Sequence, residues 1–172
     1  MRRTVDKDGN WRAFRHRNFR ILFPANALSN IGTWAQRIAQ DWLVLELTDN
    51  NGGALGLVTA VQFAPFLLLS LHGGALADRF NKRKLLIWTN IVAALACYAI
   101  GILVIIEKIE LWHVFVGAAV LGISSAIDAP IRQAFTSEIV GHSDVANAVS
   151  LNSANFNAGR LVGPALSGFL IA

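Results

Sequence analysis

Apolar residues run through this chain in long stretches separated by short polar connections. A helix needs about 20 mostly apolar residues to cross a bilayer, and several stretches approach or exceed that. Positions 53–77 are interrupted chiefly by Gln62, Pro65 and His72, and positions 85–106 by Trp88, Thr89, Asn90 and Tyr98. Positions 111–133 form another stretch. Positions 145–172 begin polar, at Asn147, Asn152, Asn155 and Asn157, and end apolar. Positions 19–47 are apolar but hold Arg37 and Asp41. The connections at 48–52, 78–84, 107–110 and 134–144 have the lengths that join adjacent antiparallel helices. No stretch alternates with the period of two that marks a strand. The pattern predicts an all-α integral membrane bundle with spans at 19–47, 53–77, 85–106, 111–133 and 145–172. A basic tail, 1–18, precedes it. The first apolar region is too long for a cleavable signal and no small-residue cleavage site closes it. The last residue falls inside an apolar run, so we expect a fragment with further spans missing.

Composition agrees with the pattern. Of 172 residues, 54% are hydrophobic and 15% charged, against about 25% charged in an ordinary soluble domain; mean hydropathy is +0.47. A soluble globular enzyme and a disordered chain are both excluded. The single cysteine, Cys97, excludes an internal disulfide framework and a cysteine zinc site. The four histidines lie far apart without metal-ligand spacing. No nucleophile–base pair is evident either, so no metal, cofactor or enzymatic chemistry is expected.

The net charge of +4 and the pI near 9.8 raise nucleic acid as a partner, but the placement of the charge argues against it. Arg2, Arg3, Lys7, Arg12, Arg15, Arg17 and Arg20 sit in or beside the tail. Arg79, Lys82, Arg83 and Lys84 follow span two, and Arg132 closes span four. With alternating spans these all face one side, and the opposite loops hold only Lys108. Positive residues mark the cytoplasmic face, so the N-terminus is expected in the cytoplasm, in the inner (plasma) membrane of a cell. The charge then meets lipid headgroups. Trp11, Phe14 and Phe19 among the arginines suggest a helix lying in the interface.

Charged residues at mid-membrane cost about 2.5–3.5 kcal/mol each on insertion scales and need partners or a wet cavity. Asn26, Asn30, Trp34, Arg37 and Asp41 are spaced by four, four, three and four, so they share one face of span one. That stripe is a candidate lining for a substrate or coupling path. The plainer alternative is an Arg37–Asp41 pair that serves packing alone. Span five adds Arg160, for which Asp41 is the candidate counter-charge; reversing both charges should then rescue either single reversal. Asp128 and Arg132 form a second pair around Pro130, either a gate or a plain helix-end ion pair. Pro130 is expected to kink or end its helix.

Two motifs carry more. Gly73 to Lys84 reads Gly-Gly-Ala-Leu-Ala-Asp-Arg-Phe-Asn-Lys-Arg-Lys. It places a carboxylate, Asp78, at a helix C-terminus, where the dipole disfavours it, beside a cationic turn. That chemistry suits a breakable latch; a loop that only sets topology is the alternative. Gly159-Arg160-Leu161-Val162-Gly163-Pro164-Ala165-Leu166-Ser167-Gly168 is a ladder of small residues with a proline, which permits close helix approach.

The first motif resembles the signature between spans two and three of the major facilitator superfamily, through Gly74, Leu76, Ala77, Asp78, Arg79 and Arg83. Asn81 replaces the second glycine and Lys82 an arginine. Asparagine tolerates the left-handed backbone, so the turn is expected to survive. The second motif resembles the span-five motif of superfamily exporters, through Gly159, Gly163, Pro164 and Gly168. Asp128-Ala129-Pro130-Ile131-Arg132-Gln133 is similar to the branch of bacterial enterobactin exporters. The resemblance implies the N-terminal half of a twelve-helix secondary transporter, with about five spans present and a C-terminal half as partner. It implies export of a siderophore-like or drug-like small molecule by alternating access, coupled to protons. Gly74, Asp78, Arg79 and Arg83, with Asp128 and Arg132, would form the cytoplasmic latch. A non-transporting half-protein acting as scaffold or regulator is the alternative.

Overall fold

The computed structural model describes residues 11–79 and 81–171, without the side chains of 70–79. Within them a 3-10 turn, Arg12–Arg15, leads into α1 (Arg17–Leu47), α2 (Gly52–Arg79) and α3 (Lys82–Ile105). A helical run of 61 residues, Leu111–Ile171, completes the chain. The run is broken at Gly141, where φ is 69° and ψ 168°. We call the limb before the break α4 (111–140) and the limb after it α5 (142–171). No strand occurs among the described residues.

The turns follow from local chemistry. After α1 the backbone turns left-handed at Asp49 and Asn50, with φ of 51° and 64°. The Asn50 amide then donates to the Leu45 carbonyl at 2.8 Å, satisfying an acceptor that the helix end leaves open. The Asn51 Oδ1 accepts from the amides of Gly53 and Ala54, at 2.9 and 3.2 Å, and so starts α2. Glu107, with φ of 56°, ends α3 in the same left-handed way.

Two expectations need correction here. Asn81 is not left-handed: it is extended, with φ of −65° and ψ of 109°, and its side chain accepts from the Lys84 amide at 3.2 Å. Asparagine stands there as an N-cap, a role open to it and closed to glycine's missing side chain. Nor does Pro130 end its helix; helical geometry runs on until Gly141, through most of the stretch read as a loop. Pro24 and Pro65 likewise lie inside helices.

Three stretches are long and apolar enough to cross a membrane: Gly52–Leu69, Lys82–Ile105 and Leu111–Ile171. At 1.5 Å per residue the last spans about 90 Å of helix, enough for two crossings of a core about 30 Å thick. The polar stripe keeps α1 below that standard. Large apolar side chains such as Leu28, Leu67, Leu95, Leu161 and Phe169 point outward, as they do where the solvent is lipid.

The described residues divide into two compact units, 36–134 in one and 11–35 with 135–171 in the other. In the 36–134 unit, Val44, Val58, Val114 and Ala118 form the buried cluster, closed by Leu43, Leu47, Leu55, Val61 and Phe115. Gly122 brings α4 against α2 so closely that a Cβ there would strike the Gln62 carbonyl oxygen. In the other unit Ala13, Phe19, Val140 and Ala148 are buried together, with Phe14, Phe23, Ile139, Val145 and Leu151 around them. Phe14 packs edge-on against both Phe19 and Phe23. Only Trp11 of the tail aromatics is exposed. Phe14 and Phe19 pack into protein, against Val140 and Ala148.

Candidate functional site

The seam between α1 and α5 is built from small residues. Asn155, Gly159, Gly163 and Ser167 recur every fourth position and all four are buried. Such a row forms one ridge-free face on which another backbone can lie. A Cβ on Gly159 would stand 2.9 Å from the Asn30 Cβ, and one on Gly163 would stand 2.6 Å from the Trp34 Cβ. The two polar members bond across the seam. Asn155 Nδ2 donates to the Phe23 carbonyl at 3.1 Å, and Ser167 Oγ to the Ala35 carbonyl at 2.8 Å. Contacts advance together along both helices, so they run parallel. Of the predicted motif, Gly159 and Gly163 lie in the seam. Gly168 faces open space and Ser167 takes its rung. Pro164 sits half-buried beside it.

The polar stripe of α1 continues from this seam. Asn26 is buried, and Asn30, Trp34, Arg37 and Asp41 are half-buried. Trp34 meets Phe156 edge-on at 5.7 Å, and the Arg160 guanidinium lies 5.6 Å over the Trp34 ring. In the other unit the Arg37 guanidinium lies 5.1 Å over the Phe63 ring. A cation over an aromatic face gains about 0.5–2 kcal/mol, more as water is excluded. Arg37 and Arg160 thus each rest on an aromatic ring. Asp41 lies one turn beyond Arg37; it belongs to the 36–134 unit and Arg160 to the other.

Asp128 accepts four hydrogen bonds. Its Oδ2 accepts from Arg132 Nε at 2.7 Å. Its Oδ1 accepts from a second Arg132 nitrogen at 3.0 Å, from Thr89 Oγ1 at 3.0 Å and from Asn90 Nδ2 at 3.1 Å. The pair is about four-fifths enclosed, at 26% and 18% side-chain exposure for Arg132 and Asp128. A carboxylate so placed is tolerated because donors fill its lone pairs. Two of the donors, Thr89 and Asn90, belong to α3 and tie it to α4. In the sequence Thr89 and Asn90 stand out only as polar interruptions of the 85–106 stretch, with no role attached. Their signal was an adjacent polar pair inside an otherwise apolar span.

A second polar cluster joins α1 to α2. Gln36 Nε2 donates to Gln40 Oε1 at 2.9 Å, and Gln40 Nε2 reaches Gln62 Oε1 at 3.4 Å. Gln40 and Gln62 are buried. The i,i+4 spacing of Gln36 and Gln40 was the available clue. The latch residues Gly74, Asp78 and Arg79 occupy the end of α2, where side chains lie outside the described residues; Arg83 is exposed in the first turn of α3. Among the described residues no group of three or more His, Cys, Asp and Glu is placed to hold a metal ion.

Outward apolar faces, inward polar clusters and a small-residue helix seam define a polytopic helical membrane protein. A family model described as transmembrane secretion effector, within the major facilitator superfamily, matches residues 8–172. The chain is 32% identical over 154 residues to the staphyloferrin A transporter of Staphylococcus aureus, covering 89% of this chain and 38% of that one. It is 30% identical over 159 residues to the multidrug efflux pump Tap of Mycolicibacterium fortuitum, covering 88% and 38%. It is 22% identical over 168 residues to macrolide efflux protein A of Streptococcus pyogenes, covering 96% and 40%. No solved structure matches. The chain belongs to the major facilitator superfamily of transporters and corresponds to the N-terminal half of one; it is not an enzyme. It spans about two fifths of the length of the curated relatives it matches.

Proposed function

We propose that this chain is the N-terminal part of a secondary transporter that exports a siderophore-like or drug-like small molecule. The membership of the chain in a family whose relatives are named for siderophore transport and drug efflux carries the reading. Export proceeds by alternating access between this half and a C-terminal half, driven by protons. Asn26, Asn30, Trp34, Arg37, Asp41 and Arg160 line the substrate or coupling path; intramembrane charges kept at such cost support that assignment. Gly74, Asp78, Arg79, Arg83, Asp128 and Arg132 form the latch, on the cytoplasmic side by the distribution of Lys and Arg. Gly159, Gly163, Pro164 and Gly168 shape span five. The membrane is the inner (plasma) membrane, with the N-terminus in the cytoplasm.

The test uses the complete protein that contains this chain. Efflux of ethidium and of ferric citrate is followed in cells and, with an imposed pH gradient, in vesicles. Asp78→Asn should weaken efflux while membrane insertion persists. Undiminished efflux by that variant sinks the latch, and efflux indifferent to the pH gradient sinks proton coupling.

A further inference from the structure

The break at Gly141 is bridged by a piece of chain far away in sequence. Gly141 has a left-handed φ, and nothing lies within 4 Å of where its Cβ would be. It is a single non-helical residue between two long helical limbs, so φ/ψ changes there re-aim α5 against the end of α4. The 3-10 turn, with the residues flanking it, touches both limbs. On the near side Ala13 and Phe19 share a buried cluster with Val140, the last residue before the break. On the far side the Ala13 amide donates to Asn147 Oδ1 at 2.9 Å. His16 Nε2 meets Asp144 Oδ2, also at 2.9 Å, and Ala148 completes the apolar contact. Ala13, Phe19 and Ala148 are fully buried.

We propose that residues 11–16 form a strap across the α4–α5 hinge, fixing the angle at Gly141 while it is docked and releasing α5 when the bundle changes state. Two features suit a releasable strap. Its far-side contacts include two hydrogen bonds, Ala13 to Asn147 and His16 to Asp144, beside Ala148, Val145 and Leu151; His16 is about one-third exposed, so water can replace the polar contacts that release removes. Its near-side anchor, through Phe19, is part of α1 itself and stays put. The release step rests on the transport reading; the docking step does not.

Two measurements on the complete protein separate these steps. The first is amide hydrogen exchange in nanodiscs. His16→Ala should raise exchange across 141–147 by about tenfold and leave 111–125 unchanged. Asp144→Asn, which still offers an oxygen to the imidazole, should change it little. Unchanged exchange in His16→Ala overturns the strap whatever the protein transports. The second uses His16→Cys with Asp144→Cys in a Cys97→Ser background, joined by a short reducible bis-methanethiosulfonate. An imidazole–carboxylate contact leaves the backbones too far apart for a direct disulfide. Cross-linking should cut efflux about tenfold, with recovery on reduction, as for a gated conformational step. Efflux at the uncross-linked rate overturns release. Absence of cross-linking overturns docking. Absence of efflux in the unmodified protein counts against the exporter reading, and exchange still decides the strap.

Discussion

Replacing Gly163 by alanine adds one methyl group, and the structure says what it meets. The new Cβ would lie 2.6 Å from the Trp34 Cβ, 2.8 Å from the Ile31 carbonyl oxygen and 2.9 Å from the Ala35 amide nitrogen. Ordinary contact begins near 3.4 Å, so α1 and α5 must part locally by about 0.5–0.8 Å. Two of the three atoms are backbone and have no rotamer with which to yield. Parting also stretches the neighbouring Ser167 to Ala35 hydrogen bond, now 2.8 Å. Overpacking of this kind costs about 1–3 kcal/mol, and α-helix propensity returns up to about 1 kcal/mol for glycine to alanine. The net expectation is a loss of about 1–2 kcal/mol. Gly168→Ala is the matched control, with the same chemistry on the same helix and open space around it; it should be neutral or stabilising by up to about 1 kcal/mol. Gly159→Ala, closest at 2.9 Å to a side-chain Cβ, should fall between. The assay is reversible unfolding of the complete protein in mixed detergent micelles. Equal effects at 163 and 168, or a greater loss at 168, would refute the seam.

Two further outcomes follow from the polar clusters. Asp128→Ala removes the acceptor of four donor contacts, two of them from Arg132, in a mostly enclosed place. It should cost about 2–4 kcal/mol, while Arg132→Lys, which keeps the charge and loses the two-point contact, should cost about 1 kcal/mol; equal stabilities in micelle unfolding would show that Thr89 and Asn90 do not hold the carboxylate. Gln40→Leu or Gln62→Leu alone leaves one buried amide without its partner, so a double-mutant cycle should return a coupling of about 0.5–1.5 kcal/mol. A coupling of zero would mean the 3.4 Å contact contributes nothing.

Hydropathy by itself determined the helical membrane class. The reason is that lipid leaves the backbone no option but to bond within its own helix, so apolar length alone identifies an element. Gly159 and Gly163 were legible as a seam because close backbone approach demands the absence of a side chain. Partners were another matter. Asp128 was visible, but its donors on α3 were not, since Thr89 and Asn90 gain meaning only when α3 and α4 lie side by side. The ladder of Gln36, Gln40 and Gln62 stayed hidden for the same cause. Asn81 showed that one residue type serves both a left-handed turn and an N-cap, and only the backbone around it selects between them. Periodicity likewise could not tell whether Ser167 or Gly168 continues the seam, because neighbouring small residues point 100° apart and only the packed helix picks one. The docking of the tail on α5 was the feature furthest from sequence: Ala13 and Asn147 are 134 positions apart. Composition fixes which solvent each segment prefers, and tertiary structure alone decides which polar groups answer one another inside it.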